Sequence, residues 1–161
     1  MKPWAEKFFE DVCRVYGIPD GEVGIEIYPG FGLIKFISDD FSPFEREALV
    51  EPGKIAVAVK RVDEPLELMV VDNDAAAFHE IIGNCFDIGR PFPGSMTEQL
   101  VGICDDNALF NLPFSFDGDC QPWHGTVIFA MVDPLDSTEL TSPLAGWMLK
   151  LLKHFYQEDL L

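Results

Sequence analysis

The sequence predicts an α+β domain: a mostly antiparallel, twisted sheet of five to six strands flanked by three helices. Three observations carry this expectation. Apolar residues recur at helical spacing in three separate segments, and short alternating or continuous apolar runs fill the intervals between them. The turns joining neighbouring runs are too short for the crossovers that parallel strands require, which leaves antiparallel pairing.

The first helix is marked by Trp4, Phe8, Val12 and Val15, with Phe9, Cys13 and Tyr16 widening the stripe. Gly17 and then Pro19-Asp20-Gly21 stop it. Val23 to Tyr28 alternates Val23, Ile25 and Ile27 with Gly24, Glu26 and Tyr28, and Pro29-Gly30 turns the chain into a second strand, Phe31 to Ile37. Asp39 to Gly53, with Pro43 and Pro52, reads as loop with a helical turn around Phe44 to Leu49. Lys54 to Arg61 and Leu66 to Val71 follow as strands. Asn73 or Asp74 caps a helix whose apolar face is Phe78, Ile81, Ile82 and Cys85 and which ends near Gly89. Pro91, Pro93 and Gly94 enforce the break.

Leu100 to Cys104 reads as strand, and the stretch from Asp105 to Asp119, DDNALFNLPFSFDGD, is expected to continue it through Phe116. Pro113 there argues for an edge position or a bulge. Gly118 to Gly125 reads as loop. Thr126 to Val132, TVIFAMV, is a continuous apolar run and reads as a buried central strand. Ser142 as N-cap and Pro143 at the first helical position open the last helix, where Leu144, Met148, Leu151, Leu152 and Phe155 form the stripe.

The 161 residues fit one domain, 1–161, able to bury about 70% of its unfolded surface. A net charge of −17 accompanies 48% hydrophobic residues, too apolar a composition for disorder, so the acid belongs on the surface of a folded core. From Val62 to Leu149 fifteen acidic residues face a single basic one, Arg90, a local balance of −14. Such a face repels nucleic acid and anionic membrane and steers cationic partners inward, so neither nucleic acid nor membrane is expected as a direct partner. Plain solubility explains the same charge equally well. The N-terminal residues mix acids into the apolar pattern unlike a signal peptide, and no uncharged run reaches the ~18 residues of a membrane span. Cys13, Cys85, Cys104 and Cys120 are widely spaced, which suits reduced thiols in a cytoplasmic protein.

Catalytic constellations are not evident. Gly30-Phe31-Gly32 lacks the rest of a dinucleotide fingerprint, and Ser95 stands alone and reads as a turn cap. His79, His124 and His154 have no second ligand at i+4, and Asp117-Gly118-Asp119 lacks the further oxygens of a calcium loop. Adjacent acids at Asp39-Asp40 and Asp105-Asp106 alternate sides in extended chain and do not converge. No catalytic residue, metal ligand or cofactor is therefore expected, and an enzyme is not.

A strand edge bearing apolar side chains accepts another chain by β-augmentation, and the acid-bracketed segment holding Phe110 and Phe114 fits that role. For any one of these phenylalanines, Phe116 included, a place in the core is the simpler account. Three local patterns, FFEDVCRVYGIP closing the first helix, HEIIGNCFDIG in the second, and DPLDSTELTSPL before the amphipathic last helix, resemble class I type III secretion chaperones of the Tir-chaperone-like family. That resemblance implies a virulence-associated, non-enzymatic homodimer whose Phe78, Ile81, Ile82 and Phe86 face the second subunit. It also implies that Ile25, Ile27, Leu33, Phe110, Phe114 and Trp123 meet an extended effector segment, basic or amphipathic in character. The rival expectation is an immunity protein or DNA mimic whose carboxylates occupy the basic cleft of a nuclease or other nucleic-acid enzyme.

Overall fold

A computed structural model describes residues 3–18, 23–28, 31–36, 48–94, 96, 98–107 and 111–156, with 23–28 and 31–36 described in backbone alone. The turn expected at Pro19 to Gly21, the helical turn expected from Phe44, Asp39-Asp40, Ser95 and Phe110 lie outside these residues. The fold is α+β, and the strand pairings of the described residues are antiparallel. The chain divides into two compact units, one formed by Met1–Leu49 with Leu144–Leu161, the other by Val50–Pro143.

In the first unit α1 (Pro3–Tyr16) buries Phe8, Phe9, Val12, Val15 and Tyr16, the stripe its spacing predicts. Gly17 ends it at φ +65°, a left-handed conformation that glycine adopts without strain. β1 (Val23–Tyr28) and β2 (Phe31–Phe36) form a hairpin in the register Ile25 with Ile34, Glu26 with Leu33 and Ile27 with Gly32. The last helix, α3 (Ala145–Tyr156), buries Met148, Leu149, Leu151 and Leu152, and its Tyr156 ring lies 4.2 Å from that of Trp4 on α1.

The second unit holds β3 (Lys54–Lys60), β4 (Glu67–Asp72), α2 (Ala75–Ile82), β5 (Phe86–Gly89), β6 (Leu100–Asp105), β7 (Phe114–Asp117), β8 (Pro122–His124), β9 (Val127–Val132) and β10 (Leu140–Thr141). The main sheet runs β4-β3-β9-β6-β5, with β10 also paired to β9. TVIFAMV is central, as its unbroken apolar run predicts, because a strand covered on both faces has no solvent side to pattern. On one face Ile55, Val57, Val59, Val101, Ile103, Ile128 and Ala130 form the core, closed by Phe78 of α2. Burying Phe78 contributes about 2 kcal/mol.

On the other face Phe92, Phe116, Trp123 and Phe129 make an aromatic layer. Phe116 stacks on Trp123 at 5.9 Å and 11°, and Phe92 on Phe129 at 6.2 Å and 18°. Such pairs add about 0.5–1.5 kcal/mol each beyond area burial.

Three boundaries differ from the sequence expectation. α2, capped by the Asp74 carboxylate accepting from Ala77 N–H at 2.8 Å, ends at Ile82 rather than near Gly89. Gly83, at φ +84°, donates its N–H to His79 O at 2.7 Å, and the released chain forms β5. The segment expected as one strand through Phe116 stops at Asp105, and β7 then pairs with β8 inside the stretch expected as loop. Ser142 does not cap the last helix; its Oγ accepts Ala56 N–H at 3.0 Å, serving the sheet where β10 meets β9.

Candidate functional site

Among the described residues β5 ends the main sheet and pairs with β6, in the register Phe86 with Asp105, Asp87 with Cys104, Ile88 with Ile103 and Gly89 with Gly102. Alternation along the strand decides what each face presents. Phe86 turns to the α2 side, its ring 6.1 Å from Phe78, and Ile88 shares that face with 49% of its surface exposed. Asp87 and Gly89 point to the opposite face, beside Cys104 and Gly102.

There the β7–β8 hairpin closes down on the sheet. A Cβ on Gly89 would stand 2.9 Å from Trp123 Cη2, and one on Gly102 3.0 Å from Cζ3, so paired glycines are what let the indole lie against the backbone. Beside the indole a groove of about 230 Å³ opens, lined by Asp87, Ile88, Arg90, Cys104, Asp105 and Asp106 on the sheet side and by Trp123 and His124 on the hairpin side.

The groove is predominantly acidic: Asp87, Asp105 and Asp106 stand against one cation, Arg90, whose Nε–H donates to Glu98 O at 2.7 Å. Burial pushes the Cys104 thiol up to about 11, and the nearby negative charges of Asp87, Asp105 and Asp106 push it the same way. At neutral pH roughly one thiol in ten thousand is then ionised, too few for a resting nucleophile. The His124 ring is committed too, its Nδ1–H donating to Leu112 O at 3.0 Å. Asp105 accepts Asn107 N–H at 2.8 Å, Asp106 accepts Asn107 Nδ2 at 3.0 Å, and Asp87 accepts the N–H of Ile88 at 3.2 Å. Each carboxylate has further lone pairs, so the arrangement suits an ammonium or guanidinium group. Among the described residues no three His, Cys, Asp or Glu side chains gather as a metal site.

The residues expected to bind a partner do not all come together. Phe114 is half exposed and packs edge-on against His124 at 6.1 Å, on the shoulder of the groove. Trp123 forms part of the groove wall while only 6% exposed, held there by its stacking on Phe116. Phe110 lies outside the described residues. Ile25, Ile27 and Leu33 belong to the other unit, and the hairpin register puts Leu33 on the opposite face from Ile25 and Ile27.

The residues expected at a dimer face lie together on the α2 side of the sheet. Phe78 is 4% exposed and closes the core, while Ile81, Ile82 and Phe86 pack against the same core and stay partly exposed. Asp87, Ile88 and Cys104 were missed by sequence reasoning. The signal was present in Gly83, a stop after Ile81-Ile82, followed by the two-residue alternation of Phe86 and Ile88 against Asp87.

No protein-family model, curated protein or solved structure matches this chain. No helix among the described residues is long and apolar enough to cross a membrane.

Proposed function

We propose that this chain is a non-catalytic protein-binding module that holds a basic or amphipathic segment of another polypeptide, in the manner of the secretion chaperones its sequence resembles, in the cytoplasm. One observation carries the reading: Asp87, Asp105 and Asp106 line a single groove beside half-exposed Ile88 on the strand that, among the described residues, ends the sheet. Carboxylates there give charge selection, and the apolar side chain gives a contact that salt does not screen. The unionised Cys104 thiol and the committed His124 ring support a binding role over a nucleophilic one.

A second reading, an inhibitor imitating nucleic acid, is favoured by the fifteen-to-one charge ratio between Val62 and Leu149. Affinity capture from the native cell, eluted along a salt gradient, separates the two. A held segment stays bound at high salt and is lost with Ile88→Asp. A charge mimic releases its partner steeply as salt rises and ignores Ile88→Asp. Capture of no protein partner by the intact chain overturns both.

A further inference from the structure

The two edges of the main sheet are managed differently. At β4 the charges are paired across to β3 and its end, Lys54 Nζ with Asp72 at 3.0 Å and Arg61 Nη1 with Glu67 at 2.7 Å. At β5 the carboxylate of Asp87 bonds its own neighbour's backbone, the N–H of Ile88 at 3.2 Å. In an antiparallel edge strand alternate residues turn their N–H and C=O away from the partner strand, and an N–H engaged by a local side chain is one left over from the ladder. Asp87 therefore sits on the hydrogen-bonding position that an added strand would need.

From this, and resting on the protein-binding reading above, we propose that Asp87 is a charge-operated latch on the β5 edge, admitting an extended segment in which basic and apolar residues alternate. A neutral strand meets a carboxylate where its own carbonyl oxygen must dock, and the two oxygens repel. A strand carrying Lys or Arg beside Asp87 supplies the cation that draws the carboxylate away, freeing the Ile88 N–H for the incoming carbonyl. Cross-strand neighbours share a face, so the residue next to Asp87 enters the groove toward Asp106, and the residue next to Ile88 falls on the apolar side. Three carboxylates against the single guanidinium of Arg90, whose Nε is taken up by Glu98 O, leave a net negative groove that favours an occupant of alternating basic and β-branched residues, and the same carboxylates set a second copy of this acidic chain against pairing edge to edge.

The test uses three capped synthetic peptides on the full chain: acetyl-KVKVKVK-amide, its block isomer acetyl-KKKKVVV-amide, and neutral acetyl-TVTVTVT-amide. Calorimetry measures affinity, and amide hydrogen exchange locates the site. The alternating basic peptide is expected to bind about five- to tenfold more tightly than its isomer. Binding protects the amides of 86–89. Asp87→Asn, which keeps an acceptor but loses the charge, weakens that peptide by a similar factor. Asp87→Ala removes the latch, so the neutral peptide gains affinity or the protein self-associates through 86–89.

Equal binding of the two isomers, indifference to Asp87→Asn, protection elsewhere than β5, or no binding of any peptide each overturns the latch. None of these results touches capture of a native partner, which tests the binding-module reading separately. Asp87 lies on the exposed side of an edge strand, and unchanged circular dichroism of both variants confirms that they fold.

Discussion

Gly102→Ala probes the layer on which the groove is built. The new Cβ would meet Trp123 Cζ3 at 3.0 Å, Trp123 Cη2 at 3.2 Å and Val127 Cγ1 at 3.2 Å, all inside the 3.5–4.0 Å of ordinary carbon contact. The indole cannot retreat, because its other side is stacked on Phe116 at 5.9 Å. Overpacking a rigid contact costs about 1–3 kcal/mol. Replacing glycine inside a strand returns about 0.5–1 kcal/mol of backbone entropy, which leaves a net loss of roughly 0.5–2 kcal/mol. For a chain of this length that lowers Tm by about 1–8 °C, measured by far-UV circular dichroism with urea titration in parallel. Trp123→Phe shortens the ring at the clash, so in the double variant the alanine methyl occupies vacated space. The combined loss should then fall short of the sum of the single losses by about 1 kcal/mol. Gly102→Ala as stable as the parent, or single losses that simply add, would refute the glycine-indole account of the groove floor.

Phe114→Asp should cost about 1 kcal/mol, the buried half of the ring's contribution, leaving the domain folded yet reducing partner capture; a collapsed dichroism spectrum would return Phe114 to the core. Cys104 should react with a thiol reagent more slowly than the exposed Cys85 and Cys120 at pH 8, its rate climbing toward pH 11. Because its folded pKa lies above the unfolded value, its stabilisation is complete below about pH 9 and is lost as pH rises through about 11. Discounted for its partial exposure, that loss is about 1 kcal/mol, and Cys104→Ser should remove it from the pH profile. Equal labelling of the three cysteines would contradict the burial argument.

Elements with a strong intrinsic period were legible in the sequence. α1 declares itself because helix 3.6-residue spacing and the core-facing stripe coincide, and TVIFAMV because a strand covered on both faces has no polar positions to confuse it. β5 was not legible, because Ile81, Ile82 and Cys85 extend a helical spacing past the point where Gly83 has already turned the backbone left-handed. Local spacing and backbone conformation conflicted there, and the glycine prevailed. The burial of Trp123 was not legible for a different reason. Its burial depends on Gly89 and Gly102, distant in sequence and adjacent only once β5 pairs with β6. The candidate site inherits both gaps, since its floor is that strand pair and its wall that tryptophan.

The acids bracketing the DDNALFNLPFSFDGD segment divide by task once the sheet is formed. Asp119 is structural, its Oδ2 accepting Gly94 N–H at 2.8 Å while its own N–H donates to Pro91 O at 2.8 Å, which pins the loop that carries Phe92 into the aromatic layer. Asp105 and Asp106 instead stand at the end of β6, where they join Asp87 around Cys104. A surface that acted only through its total charge would gain nothing from that grouping, because fields from exposed charges fade beyond about 8–10 Å at physiological salt. Grouping matters when the charge to be met is close and singular, as on one basic side chain seated against the strand edge. Moving one acid while holding net charge constant therefore discriminates: Asp87→Asn combined with Asn84→Asp should lose the alternating basic peptide although the chain remains at −17. If affinity follows the total and not the position, the groove is a bystander to a diffuse acidic field.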